Sequence, residues 1–227
     1  MSEFLDNPVW HALVGPHAHI ATGVGFARHY PRDMAPFSGI EMSSVEAYAD
    51  LKVGLPRGTE ARLFRLSDEP LPEGWVSVAA FPMLQMVARQ IPVGDIAGPP
   101  LRCPDDLDAM MELVALTKPG PFEARTLQLG TYLGVREGGR LLAMAGERLR
   151  VPGYVELSAI CTYPEATGRG LAAYLCRLLM LTAANRGEVH FLHVRPENPA
   201  AELYRRLGFE VRRQLWVLWR KPVAESA

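Results

Sequence analysis

Three strand-like runs joined by very short turns constrain this fold more than any other feature of the chain. Thr131–Arg136, Arg140–Arg148 and Gly153–Thr162 are linked by Glu137-Gly138-Gly139 and Val151-Pro152-Gly153. Short Gly-rich links between apolar runs are hairpin signals, so the three runs form an antiparallel meander. A loop ending in Gly168-Arg169-Gly170 then opens an apolar helix, Leu171–Arg186, which Gly187 stops. Val189–Val194 reads as a buried strand. Asn198 caps a second helix, with Pro199 at its first position and Gly208 at its end. Phe209–Arg213 and Leu215–Trp219 close the chain as two strands. A meander followed by a helical crossover to another strand predicts a mixed sheet with helices on both faces, an α/β (α+β) fold.

Upstream, Pro104–Thr117 carries Leu107, Met110, Met111, Val114 and Ala115 on one stripe, with Asp105 and Asp106 near the positive end of the helix dipole. Pro119-Gly120-Pro121 ends that helix. Pro and Gly crowd Ile91–Pro104, which reads as a connection. The 227 residues therefore divide into an N-terminal α/β extension, 1–90, and a main domain, 91–222. In the extension, Ser44–Val53 reads as a capped helix and Glu60–Leu66 as a strand. Trp75–Val87 reads as a further strand interrupted by Pro82. These elements would suit a degenerate half-copy of the main fold.

Charge narrows the partners. With 24 Lys and Arg against 25 Asp and Glu, the chain has no basic footprint for nucleic acid. No apolar run is long enough for a membrane span, and no targeting signal is read at the start, so a cytoplasmic protein is expected. Three cysteines, Cys103, Cys161 and Cys176, are too scattered for a disulfide framework or a zinc site. His11, His17 and His19 lie close together, but no Cys, Asp or Glu joins them, and no metal is expected.

Chemistry concentrates in two stretches. Thr162–Ala173 reads TYPEATGRGLAA. A strand, a Gly-rich loop and a helix start together offer unpaired backbone N–H groups to an anion such as a pyrophosphate. The loop lacks the Gly-Lys-Ser/Thr ending of a Walker loop and the third Gly of a dinucleotide fingerprint. Downstream, FLHVRPENPAAELYRRLGF places Asn198, Ala201 and Tyr204 around a short capped helix.

In this order, the two stretches resemble the GNAT superfamily of CoA-dependent N-acyltransferases, most closely its glycine N-acyltransferase-like branch. The resemblance covers roughly Ile91–Lys221. It implies a mostly antiparallel sheet with a splayed central strand pair, acetyl-CoA as co-substrate, and a small or amino-acid-like amine as acceptor. It also implies site roles. Ile160, Cys161 and Thr162 would pair with pantetheine, while Thr167, Gly168, Arg169, Gly170, Leu171 and Ala172 would hold the pyrophosphate. Asn198 and Ala201 would contact the pantetheine arm, and Tyr204 would protonate the departing sulfur. Glu165 and Thr167 stand where the family often carries cations or Gln, which lowers the expected attraction for phosphate. Glu156 is the expected base, with Glu147 and His193 as rivals that could also contact substrate. Tyr204 and Glu156 could equally be packing or hydrogen-bonded residues. Phe122 and Arg125 would wall the acceptor pocket, Arg125 receiving a carboxylate. Cys161 could suggest an acyl-enzyme, but no His–Asp pair stands beside it in the sequence. A non-catalytic CoA-binding module and a protein N-acetyltransferase remain alternatives, and the chain would act as a monomer or homodimer.

Overall fold

The computed structural model describes residues 3–92 and 105–223, so most of the Ile91–Pro104 connection, with Cys103, lies outside the described residues. The N-terminal segment begins with α1 (Pro8–Val14), the short strands β1 (Ala27–His29) and β2 (Ser38–Ile40), and α2 (Val45–Gly54). Ser44 caps α2 by accepting the Ala47 N–H at 3.1 Å, as the sequence predicts. β3 (Ala61–Arg65) and β4 (Trp75–Ala88) precede α3 (Leu107–Thr117). The meander is β5 (Tyr132–Glu137), β6 (Arg140–Val151) and β7 (Tyr154–Thr162). After it come α4 (Leu171–Asn185), β8 (Val189–Val194), α5 (Ala200–Arg206) and β9 (Phe209–Pro222).

One seven-stranded sheet organises the chain in the order β3-β9-β4-β8-β7-β6-β5. Every pairing is antiparallel except β7 with β8. The N-terminal segment does not keep to a sheet of its own. Its strands β3 and β4 flank β9, and β4 is hydrogen-bonded between β9 and β8. A division near residue 90 therefore cuts through the sheet. Pro82 is tolerated in so central a strand because β4 pairs with β8 only over Leu84–Val87. At Pro82 its one strand neighbour is β9. The two closing strands are a single strand, because β9 is held in register by β4 along its whole length and by β3 over Trp216–Arg220.

Helices cover both faces. α4 and α5 pack on one face with Met86, Leu157, Leu192 and Phe209. The stripe Leu175, Leu179, Ala183 is fully buried there, and truncating Leu179 to Ala would cost about 2–5 kcal/mol. α1 packs on the opposite face with Tyr30, Phe37, Phe64, Phe191 and Val217. α3 covers the β6–β7 end through Met110 and Leu113. Among the described residues, no helix is long and apolar enough to cross a membrane.

Candidate active site

The parallel pair β7–β8 is bonded only over Tyr154↔Val189, Val155↔His190 and Glu156↔Phe191. Beyond that the strands part because each is claimed by its other neighbour. β4 pairs with β8 through Val194, and β6 pairs with β7 through Thr162. β7 also bulges. Between the pairs Gly146↔Ser158 and Met144↔Cys161, both Ala159 and Ile160 face the single residue Ala145. Ala159 takes φ +51°, a conformation costly for a side-chain-bearing residue and concentrated at functional sites. The gap opens into a cleft of about 590 Å³ that is lined from both faces of the sheet.

On the α4 side, Ile160, Cys161, Thr162, Asn198 and Tyr204 line the cleft. Next to β7 a 3-10 turn, Pro164–Ala166, leads through Thr167 to Gly168 and Gly170, which have φ +83° and +77°. A Cβ at either Gly would point into open space, so the backbone is accessible to a ligand there. The Tyr174 N–H bonds to the Gly170 carbonyl, so the preceding amides of Leu171, Ala172 and Ala173 face out of the helix start. This cradle fits a pyrophosphate. Glu165 is matched by an ion pair with Arg140, whose guanidinium also lies over the Tyr163 ring at 3.9 Å. Arg169 is exposed and paired with Glu137 at 2.8 Å.

Tyr204 projects from α5, packed edge-on against Phe209 at 6.2 Å. Burial, with Cys176 nearby, pushes its phenol well above the ordinary value, so the hydroxyl keeps its proton at neutral pH. Ala201 is buried in the same helix. Asn198 Oδ1 accepts the Ala200 N–H at 2.9 Å, which anchors the start of α5 and leaves the amide NH₂ for the cleft. Burial pushes the Cys161 thiol up to about 11, so it is not a ready nucleophile.

On the opposite face the floor of the cleft is a buried polar chain. Glu156 receives both Arg148 Nε and Nη2 at 2.9 and 3.0 Å, and His193 Nδ1 at 2.7 Å. Burial alone would raise the Glu156 carboxyl. The Arg148 charge, with hydrogen bonds from His193 and Arg148, outweighs it and holds the group at about 2. Gln85 fixes the His193 tautomer. Its NH₂ donates to the Leu5 carbonyl at 2.8 Å and lies 3.1 Å from His193 Nε2, while its Oε1 accepts from Arg212. Nε2 thus accepts from Gln85, and Nδ1 donates to Glu156. His193 and Arg148 line the cleft, and Glu156 lies behind them.

Other residues proposed from the sequence fall elsewhere. Glu147 is buried in a separate knot with Arg150, Arg186 and the Thr131 N–H. Arg125 is exposed and pairs with Asp33 at 3.3 Å, tying the segment after α3 to the N-terminal loops. Phe122 is a core residue against Tyr132. The preceding Pro119-Gly120-Pro121 does wall the cleft. Sequence reasoning missed Arg148, Gln85 and Arg62. Arg62 enters the cleft from β3, stacked over Trp219.

An anion cradle at a helix start, a parted strand pair and a cleft lined from both faces of the sheet define the class of α/β protein to which this fold belongs. Comparison with known proteins gives that class a family. A family model described as FR47-like protein matches residues 132–217. A GNAT-family protein from Novosphingobium aromaticivorans is 35% identical, covering 98% of this chain and 100% of that one, with a TM-score of 0.89. A GCN5-related N-acetyltransferase from Kribbella flavida shares the fold at 16% identity, with 97% of each chain covered and a TM-score of 0.66. No curated protein matches the sequence. The chain belongs to the GNAT family.

Proposed function

We propose that the protein transfers the acetyl group of acetyl-CoA to the amine of a small acceptor by direct attack. The observation that carries this reading is the cleft itself. It runs from Asn198, Ala200 and Tyr204 past the bulged edge of β7 to Phe37, Phe64 and Trp219 on the other face, and the amide-bearing start of α4 follows the end of β7 after one short turn. The amides of Gly168–Ala172 hold the pyrophosphate, Ile160–Thr162 pair with the pantetheine arm, and Asn198 donates to it. When bound, acetyl-CoA supplies an acyl carbonyl activated by a thiol leaving group. Backbone N–H groups at the bulge stabilise charge on the carbonyl oxygen. Tyr204 holds the proton that the leaving sulfur needs.

The burial of Glu156 and its double bond to Arg148 favour a positioning role for it over that of base. Among the described residues lining the cleft, His193 is the one imidazole. It takes the amine proton at Nε2, releasing Gln85, while Glu156 stabilises the resulting charge. The two motif stretches that resemble the glycine N-acyltransferase-like branch support an amino-acid-like acceptor, and the cleft's volume of about 590 Å³ supports a small one.

The test is thiol release from acetyl-CoA with a panel of small amines. Turnover that follows the acceptor supports the reading. Tight acetyl-CoA binding with no turnover of any amine or peptide would leave a CoA-binding module instead. In the same assay His193→Asn should lose most of its kcat/KM near neutral pH and recover as alkaline pH supplies free amine.

A further inference from the structure

The acceptor half of the cleft has a charge pattern that a simple amine does not explain. Its wall carries Arg62, Lys118, Arg148 and Arg195, and no Asp or Glu. Arg148 is neutralised by Glu156, and Arg195 has Glu197 at 3.6 Å. Arg62 and Lys118 have no acid partner among the described residues. The Arg62 guanidinium lies 3.8 Å over the Trp219 ring, its register partner across β3 and β9. Trp219 is fixed in turn by an indole hydrogen bond to Glu60. Arg62 Nε is buried with no hydrogen-bond partner. Burial and the nearby Arg32 work against the Arg62 charge, and Glu60 and Glu123 only partly restore it. Beside Arg62 the wall is apolar and aromatic, with Phe37, Phe64, Phe81, Met83, Val217 and Trp219.

We propose that Arg62 receives a carboxylate, so that the acceptor is an amino acid with an apolar side chain. This rests on the reading of the cleft as an acyl-acceptor site. A half-buried guanidinium held by stacking on Trp219, with no acid partner among the described residues, is preorganised for a planar carboxylate. Arg62 and Lys118, the two wall cations without an acid partner among the described residues, disfavour polyamines and other polycations. The spacing also suits a short acceptor. Phe64 touches His193 with ring centroids 4.5 Å apart, and Arg62 lies two residues along the strand, about 7 Å away. A few atoms therefore separate the attacking amine from the recognised anion. Arg125, expected from the sequence to do this, is held outside by Asp33.

The experiment compares leucine, methionine, phenylalanine and tryptophan with their amides. Thiol release is measured for the wild type, Arg62→Gln and Arg62→Lys. A charged hydrogen bond predicts a wild-type preference of about 10–100-fold in kcat/KM for the acids. The ratio should collapse toward one in Arg62→Gln and recover in part in Arg62→Lys. An acid-to-amide ratio near one in the wild type, or a ratio unchanged in Arg62→Gln, overturns the assignment. Calorimetric titration of the four N-acetyl amino acids and their amides, with CoA present, decides the question without turnover. Binding of the acids that Arg62→Gln abolishes supports the assignment, and no binding by any acid overturns it. Failure of the transferase reading shows separately, as absence of acetyl-CoA binding to the wild type.

Discussion

Replacing Glu156 by Gln keeps the shape of the side chain but leaves the Arg148 cation buried against a neutral amide. The structure sets the cost. Both side chains are removed from water, the pair is bidentate, and His193 supplies the third contact. A carboxyl held at about 2, well below the ordinary glutamate value, contributes about 3 kcal/mol to folding at neutral pH. Removing one partner of a buried ion pair costs about 3–5 kcal/mol, which agrees. For a chain of this size, 1 kcal/mol moves Tm by about 2–4 °C, so Glu156→Gln should melt roughly 6–12 °C below the wild type at pH 7. Because the folded pKa is depressed, the contribution is fully present above about pH 4.5 and is lost as pH falls toward 2. The difference between variant and wild type should therefore narrow across that window. Denaturant unfolding at pH 7 and at points down to pH 3 reads both quantities. A variant as stable as the wild type at pH 7 would refute the account of this pair.

Other substitutions separate binding, chemistry and packing. Gly170→Val forces a β-branched residue into φ +77° beside the α4 amides. It should abolish stabilisation by acetyl-CoA while the apo protein still folds, as thermal melts with and without ligand will show. Tyr204→Phe keeps the ring and its contact with Phe209 but removes the donor. Single-turnover acylation should fall about 10²–10⁴-fold with acetyl-CoA affinity nearly unchanged. Cys161→Ala should retain most of the single-turnover rate, since its thiol stays protonated up to about 11, and no acyl-enzyme should be seen by mass spectrometry.

The sequence was most legible where local pattern and tertiary contact agree. The three meander runs β5, β6 and β7, the apolar helix α4 after the Gly-rich loop, and the hydrogen bond from the Ala200 N–H to Asn198 at the start of α5 all appear in the structure. The central place of β4 was not legible. Its pairing with β8 joins Gln85 to His193 across more than a hundred residues, and Pro82 argued locally against a buried strand. The Glu156 partner was hidden for a different reason. A regular hairpin through Val151↔Tyr154 and Arg150↔Val155 would set Leu149 opposite Glu156. A bulge instead sets both Arg148 and Leu149 against it, and so brings the guanidinium to the carboxylate. The reading of Glu60–Leu66 as a strand did not single out Arg62. Only the cross-strand stack on Trp219 shows that it belongs to the cleft.

The most direct test of the central claim, a cleft built for acetyl-CoA, is a thermal melt of the wild-type protein over increasing acetyl-CoA. A ligand that binds only the folded state adds about 2.7 kcal/mol at a hundred times its Kd, which raises Tm by about 5–11 °C here. The account predicts a saturable rise of that size, shared by CoA and absent with acetate alone. A melting temperature unmoved by millimolar-range acetyl-CoA would contradict it.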